Sequence, residues 1–237
     1  MPEHASLHQQ VLDQWGMAIV EGRYAPGERV ALADPVTGVD ASRTVAREAT
    51  RVLEALGMVT VRRRMGAVVN PPQHWNAFDP RLIFWRLRSR DVAAQLHWIA
   101  QLRSAVEPMA AALAAEVSTP QQWAALTEAA ITMVAQARDA TGAEYLAADA
   151  AFHRTLLLAS GNPMFAALGG SVEAVLRGRT AGGLMPTVAD AQAVRLHCDV
   201  AAAVAAGDAA AAERAMRGIV EEADQAARAV LEGLDQA

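Results

Sequence analysis

The chain has no lysine and only one cysteine, Cys198, among its 237 residues. A single cysteine excludes a disulfide bond within the chain, as is typical of proteins that stay in a reducing compartment. No apolar run approaches the ~20 residues of a membrane-spanning helix, and the first residues lack the basic and apolar regions of a signal peptide. These absences predict a soluble, cytoplasmic protein with no membrane partner.

Aromatic residues are also scarce, at 5% of the chain. Hydrophobic residues make up 53% and charged residues 20%, which predicts a packed globule rather than a disordered chain. Alanine is abundant, and an alanine-rich sequence with few aromatic residues favours helices over sheets. We therefore expect a mainly α fold.

The net charge of −5 lacks the positive sign of many nucleic-acid-binding proteins, but the charge is unevenly distributed. Residues 1–75 hold 8 Arg and 8 acidic residues, whereas residues 76–237 hold 13 Arg and 18 acidic residues. Five arginines of the first part form two clusters, Arg43 with Arg47 and Arg62–Arg64. A basic patch can therefore exist on an N-terminal domain that has no net charge.

The segment 70-NPPQHWNAFDP-80 separates two kinds of sequence and contains three prolines. Before it, short amphipathic patterns alternate with β-branched runs. After it, long patterns of alanine and leucine at helical spacing continue to the end of the chain. We expect a first domain over residues 1–70, a linker over residues 71–80 and an all-helical domain over residues 81–237.

The first domain has the element order of a winged helix-turn-helix. Helices are predicted over residues 6–22 and 42–56, and 58-MVTVRRRMGAVVN-70 reads as strand, turn and strand with the turn at Met65-Gly66. In such a domain the second helix of the motif enters the major groove of DNA, and the hairpin lies against the backbone.

The residues that suit DNA contact lie on that second helix and on the wing. Arginine pairs with guanine, and a helix N-terminus favours phosphate. The candidates are Ser42, Arg43, Thr44, Arg47, Arg62, Arg63 and Arg64. The alternative is a solvated arginine face on a small helical domain.

These motifs resemble a known family. The run 26-PGERV-30 and the run 42-SRTVAREATRVLEALGMVTVRRRMGAVV-69 resemble the DNA-binding domain of GntR-type bacterial regulators. This resemblance implies that Arg43, Arg47 and the wing around Gly66 contact DNA. The pieces 102-LRSAVEP-108, 149-DAAFHRTLLLASGNP-163 and 207-GD-208 resemble the FCD effector domain of the FadR-like branch. The segment 70-NPPQHWNAFDPRLIFW-85 is similar to the D-galactonate-responsive repressors of that branch.

One segment departs from the family pattern. Residues 30-VALADPVTGVDAS-42 are one residue shorter than usual, lack the customary Ser-Glu-Arg and contain Pro35. Proline inside a helix removes a hydrogen bond and costs ~3 kcal/mol. We therefore expect the first helix of the motif to be short or shifted, with weaker or altered DNA binding.

The second domain is expected to be an antiparallel helical bundle. Within it, Asp149 and His153 are four residues apart on one helix face, a spacing that lets both reach one metal ion. His197 lies on the apolar stripe of another helix. The FCD resemblance implies a fourth ligand about twelve residues after Gly207, where this chain has Ile219.

Three interpretations of these residues remain. Asp149, His153 and His197 bind one divalent ion such as Zn²⁺, with water or the effector completing its coordination. Or the metal is lost, and the same side chains bind the effector directly. Or Asp149 and His153 pair only with each other and with Arg103.

Further effector residues follow from the resemblance. Arg103 is implied to face the pocket and to clamp a carboxylate, with Glu107 orienting it or accepting effector hydroxyls. The alternative for this pair is an exposed ion pair with little energetic value. Arg179 and Asn162 are also implied to reach the effector.

The combined prediction is a homodimeric transcriptional repressor of sugar-acid catabolism. It would bind double-stranded operator DNA and be released by a small carboxylate, with a D-galactonate-like aldonate as the best single choice. One alternative is an effector sensor with a decayed DNA reader that acts through protein partners. Another is a metalloenzyme, which we do not favour because the sequence shows no further general base.

Overall fold

The computed structural model describes residues 6–30 and 43–235, and it confirms a mainly α fold. The chain divides into two compact units, residues 1–91 and residues 92–237. Ser42, Pro35 and the expected first helix of the DNA-binding motif lie outside the described residues. None of the helices in the described ranges is long and apolar enough to cross a membrane.

The first unit contains three helices and a hairpin among its described residues. Their bounds are α1 Leu7–Val20, α2 Arg43–Ala55, β1 Val59–Arg62, β2 Gly66–Val69 and α3 Pro80–Leu87. The core forms where α1 packs on α2, with Leu12, Trp15 and Leu53 all but fully buried. On α2 the buried residues are Ala46, Ala49, Thr50 and Leu53, and Val45 and Val52 are partly buried against the same core.

The wing is an antiparallel hairpin in the register Val59↔Val69 to Arg62↔Gly66. Its turn covers residues 63–65, one or two residues earlier than predicted, because Arg64 takes a left-handed conformation with φ 69°. A preceding segment extends the sheet, since Val30 N–H donates to the Ala67 carbonyl at 2.9 Å.

Helix α3 folds with the first unit, although the predicted boundary placed it in the second. The Trp85 indole N–H donates to Asp13 of α1 at 2.9 Å. Gly16 leaves room for this indole, because an added Cβ there would lie 2.5 Å from the Trp85 ring.

The expected linker also folds onto the first unit. Trp75 packs against its core and donates its indole N–H to the Asn70 carbonyl at 2.9 Å. The Asn76 N–H donates to the Leu56 carbonyl at 2.8 Å. Residues 70–76 are therefore held by hydrogen bonds, and the units divide between Asp91 and Val92.

The second unit is a helical bundle, as predicted. Its elements are α4 Val92–Val117, α5 Pro120–Gln136, α6 Ala143–Ala159, α7 Pro163–Ala166, α8 Gly169–Ala181, α9 Ala191–Ala206 and α10 Ala209–Asp235. Helices α7 and α8 are separated only by residues 167–168.

The core of this unit lies between α5, α6, α9 and α10. Phe152 and Leu156 of α6 are fully buried against Val200 of α9 and Met216 of α10. The left-handed Gly207, with φ 74°, ends α9 and lets α10 turn back along it. This packing directs one face of α6, α9 and α10 toward a shared cavity.

Candidate functional site

A cavity of about 50 Å³ lies between the helices of the second unit. Its wall is formed by charged, phenolic and imidazole side chains together with aliphatic ones. The lining residues include Arg103, Tyr145, Asp149, His153, Leu176, Arg179, Met185, Asp190, His197, Ile219 and Glu222. Such a polar interior is costly to bury unless something binds to it.

Three predicted residues, Asp149, His153 and His197, converge in this cavity. Asp149 Oδ1 lies 3.2 Å from His153 Nε2 and 3.6 Å from His197 Nε2. Each side chain is at least nine-tenths buried. Among the described residues, these three offer ligand atoms within 4.8 Å of one another.

In each of the two histidines, the Nδ1 atom lies near a hydrogen-bond acceptor other than Asp149. His197 Nδ1 lies 2.7 Å from the Ala193 carbonyl, and this contact places a proton on Nδ1. His153 Nδ1 lies 3.0 Å from Glu107 Oε2, within ion-pair distance but out of line for a hydrogen bond. The proton on His197 Nδ1 leaves the lone pair of its Nε2 facing Asp149. His153 Nε2 also faces Asp149, with Arg103 Nη2 3.4 Å away.

Two of the converging atoms lack partners. Asp149 Oδ1 and His197 Nε2 are buried and make no hydrogen bond within the described structure. A carboxylate oxygen beside two imidazole nitrogens is stable only with a proton or a metal ion between them. Two histidines and a carboxylate are also a donor set that zinc accepts, so the residues fit a divalent ion.

Without a metal ion, His153 takes up the proton. Burial lowers the pKa of His153, but the charge of Glu107 and the contact with Asp149 raise it to about 9. Burial likewise raises the pKa of Asp149, but the two histidines hold it well below its usual range. The metal-free site is therefore an ion-pair cluster at neutral pH.

This pKa predicts a loss of stability in alkaline solution. In the unfolded chain the histidine pKa is ~6.5, so folding raises the pKa of His153. The stability that the protonated His153 contributes is therefore fully present below pH ~6.5. It should be lost as the pH rises through about 9, with a slope near ~1.4 kcal/mol per pH unit for one proton. Urea unfolding in the presence of a chelator at a series of pH values measures this slope.

The matched control for this prediction is His97→Gln, since His97 is an exposed histidine of the same unit. His97→Gln should keep the slope of the natural protein, and His153→Gln should flatten it. An unchanged slope in His153→Gln would show that another group titrates.

Arg103 and Glu107 form a buried pair on α4, rather than the exposed pair of the alternative interpretation. Arg103 Nε and Nη2 donate to the two Glu107 carboxylate oxygens at 2.7 and 3.1 Å. Glu107 is 1% exposed and lies behind Arg103 and His153. Burial raises the pKa of Glu107, but Arg103 and His153 lower it to about 2. Glu107 thus orients Arg103, whereas direct contact with an effector hydroxyl is not supported.

The other predicted effector residues differ in position. Arg179 of α8 lines the cavity, and so does Ile219, the residue at the expected fourth ligand position. Asn162 instead caps α7, where its side-chain oxygen accepts the Met164 N–H at 2.9 Å. Of the described residues, Asn162 is one that the structure does not bring to the cavity.

Three polar cavity residues, Tyr145, Asp190 and Glu222, are not among the predicted site residues. Glu222 follows Ile219 by three residues, and Tyr145 precedes Asp149 by four, so helical spacing alone could have indicated both. Burial and the nearby Asp190 raise the pKa of Glu222. Burial and Asp149 raise the pKa of Tyr145, which keeps its hydroxyl protonated.

In the first unit, the predicted DNA-contacting residues that are described lie at the surface. Arg43, Thr44 and Arg47 are exposed on α2, and Arg62–Arg64 are exposed around the turn of the wing. Gly66 is half-buried at the start of β2, with φ 78°. The surface of α2 and the wing thus carries the five arginines of the two clusters.

A recognition helix with a basic wing, joined to a helical unit with a polar cavity, defines a ligand-responsive DNA-binding regulator. Comparison with known families agrees, since residues 7–69 match the bacterial regulatory proteins of the gntR family and residues 99–222 match the FCD domain. The chain therefore belongs to the GntR family of transcriptional regulators and carries an FCD domain.

Individual relatives support this assignment. The chain is 31% identical to the uncharacterized HTH-type transcriptional regulator YieP of Escherichia coli, over 67% of this chain and 69% of that one. It is 29% identical to the galactonate operon transcriptional repressor of Escherichia coli, over 68% and 70% of the two chains. The structure of Lar from Listeria monocytogenes shares the fold, with a TM-score of 0.55, 18% identity and coverage of 95% and 98%.

The family and these relatives are transcriptional regulators and not enzymes, so the metalloenzyme alternative is set aside. DNA is the partner that the gntR domain implies, and a small molecule is the effector that the FCD domain implies.

Proposed function

We propose that this regulator is a homodimeric repressor of sugar-acid catabolism that a small carboxylate releases from operator DNA. The observation that carries the proposal is the buried cavity of Asp149, His153, His197 and Arg179, which combines cationic and hydrogen-bonding groups in one site. A sugar acid offers the matching carboxylate and hydroxyls. The galactonate operon repressor among the relatives makes D-galactonate the first effector to test.

DNA would be bound by α2 and the wing. Arg43 and Arg47 are exposed where a recognition helix meets base edges, and Arg62–Arg64 are placed for phosphate contact. Two copies related by a twofold axis would read a pseudo-palindromic site. Molecular mass measured by light scattering, with and without operator DNA, tests the dimer.

The cavity is too small for a sugar acid in this structure, so it would have to widen when the effector binds. Sites for ligands of drug size have volumes of ~300–1,000 Å³, whereas this cavity has about 50 Å³. An aldonate would therefore bind better to a wider arrangement of the helices than to this one. A ligand with such a preference shifts the population between two arrangements, and this is the requirement for release from DNA.

A divalent ion would be held by Asp149, His153 and His197. When bound, it would supply a positive charge that attracts a carboxylate or hydroxyl of the effector. Glu107 and the Ala193 carbonyl would orient the two histidines from behind, as is usual for metal-binding imidazoles.

The apolar Ile219 predicts a gain of metal affinity on replacement by histidine. Ile219 is 3% exposed and lines the cavity, so Ile219→His would add a fourth ligand. We expect Zn²⁺ to bind at least ~10-fold more tightly, as changes in ligand shells alter metal affinity by ~10–100-fold. Competition with a chromogenic chelator measures the affinity. Ile219→Gln is the control, and equal gains in both variants would contradict a ligand role.

Fluorescence anisotropy tests the function as a whole. Labelled DNA from upstream of the chain's own gene is titrated with the protein in the presence of competitor DNA, and D-galactonate is then added. Tight binding that the aldonate reverses supports the proposal, and tight binding without release rejects this effector. Absence of binding above competitor rejects the repressor. It would favour the sensor with a decayed DNA reader, which the shortened segment containing Pro35 also motivates.

A further inference from the structure

Two arginines line the cavity, but among the described residues only Arg103 has a carboxylate in direct contact. The Nε–Nη2 edge of Arg103 is occupied by both carboxylate oxygens of Glu107, and Nη2 also lies 3.4 Å from His153 Nε2. A bidentate carboxylate is the strongest partner that a guanidinium finds in a protein. Arg103 and Glu107 therefore form a neutral unit that fixes the position of His153.

Arg179 is buried without such a partner. It is 6% exposed, and its Nη2 donates to the Ala223 carbonyl at a long 3.4 Å. In the part of the chain that the structure describes, its Nε makes no hydrogen bond. Burial and the charge of Arg103 lower the pKa of Arg179, whereas the charges of Asp149, Glu222 and Asp224 raise it and offset only part of that effect. A buried cation without a carboxylate in direct contact is unfavourable, and an anion placed beside it would reduce the penalty.

The cavity also offers acceptors that do not pair with Arg179. Glu222 of α10 lines it and is half-buried, and Tyr145 lines the same cavity. A ligand whose anionic group contacts Arg179 would bring a neighbouring hydroxyl close to these polar side chains. The cavity thus offers one position for a negative group, at Arg179, and another for a hydroxyl donor, at Glu222.

We propose that Arg179, and not Arg103, binds the carboxylate of the effector, and that Glu222 accepts a hydrogen bond from a hydroxyl of the same molecule. The ligand class is a hydroxycarboxylate. This inference rests on the proposed function, since it takes the cavity to be the effector site. Arg103 is a positioning residue for His153.

Three small probes separate the two contacts. Glycolate carries a carboxylate and a hydroxyl, acetate lacks the hydroxyl, and glycolamide lacks the charge. Calorimetry with the full chain in the absence of DNA should show that glycolate binds more tightly than either analogue. Arg179→Gln should lose the preference for glycolate over glycolamide by at least ~10-fold, as expected for a charge-assisted bidentate contact. Glu222→Met, which removes the acceptor and keeps a side chain of similar length, should lose the preference for glycolate over acetate.

The control is Arg177→Gln, the same substitution two residues earlier on α8. Arg177 is 70% exposed and pairs with Glu173, so its loss should leave all three affinities unchanged. Arg179→Gln should also melt at or above the temperature of the natural protein without ligand, because a buried uncompensated charge has been removed. A residue with only a structural role would instead lower the melting temperature.

The proposal is overturned if Arg179→Gln binds glycolate like the natural protein, or if Arg103→Gln alone removes the charge preference. It is also overturned if the natural protein binds neither glycolate nor D-galactonate at millimolar concentration. Because these measurements contain no DNA, they remain decisive if operator release fails. Charge-selective binding without any effect on DNA would reject the repressor but keep Arg179 as the anion site.

Discussion

Replacing Arg43 and Arg47 together by alanine should weaken operator binding by at least ~30-fold. Both side chains are exposed on α2, the helix that the winged helix-turn-helix order assigns to the major groove. A bidentate arginine–guanine contact is worth ~1–3 kcal/mol, so two contacts give ~2–6 kcal/mol. The loss should be larger on operator DNA than on competitor DNA, since base contacts carry the sequence preference. Fluorescence anisotropy with both DNAs measures the difference.

The control for the DNA prediction is Arg217→Ala, an exposed arginine of the second unit that pairs with Glu213. It should leave the affinity unchanged. The double variant should keep the melting temperature of the natural protein, because neither α2 arginine is buried. Operator binding as tight as that of the natural protein would show that α2 is not the recognition helix.

Glu107→Ala should be the most destabilising single change in the effector cavity. Its removal leaves Arg103, 5% exposed, with a buried charge and no carboxylate partner. Breaking a buried pair in this way costs ~3–5 kcal/mol. At ~2–4 °C per kcal/mol for a chain of this size, the melting temperature should fall by ~6–20 °C. His153 also loses the carboxylate that supports its proton. Thermal unfolding followed by circular dichroism measures the shift.

The second unit offers a matched control in Arg217 and Glu213. This pair has the same residue types at the same spacing, but its side chains are 49% and 42% exposed. Glu213→Ala should therefore cost only ~0.3–0.5 kcal/mol. The double variant Arg103→Met, Glu107→Leu should recover most of the lost stability, because neither charge of the pair is left without its partner. A loss in Glu107→Ala no larger than in Glu213→Ala would show that Arg103 reaches water or another anion.

Arg43 and Arg47 are four residues apart, and so are Arg103 and Glu107, and this helical spacing can be read from the sequence. Local geometry determines which residues share a helix face, so steps of four residues are enough to pair Arg103 with Glu107 and Asp149 with His153. The wing was also predictable, because β-branched runs on either side of a turn read as a hairpin from sequence alone. The GntR family and its helical effector domain were indicated by the resemblance of particular sequence motifs, whereas element order alone indicated only a winged helix-turn-helix.

The tertiary structure decided how these local pairs are used. Arg103 and Glu107 lie on the same helix, but their burial against His153 requires α4 to pack on α6, which is far away in sequence. The same packing brings Arg179, Glu222 and Ile219 to one cavity, and contacts of Trp85 assign α3 to the first unit. Spacing along one helix determines a shared face, but the partner of that face is determined by the angles and register at which separate helices pack.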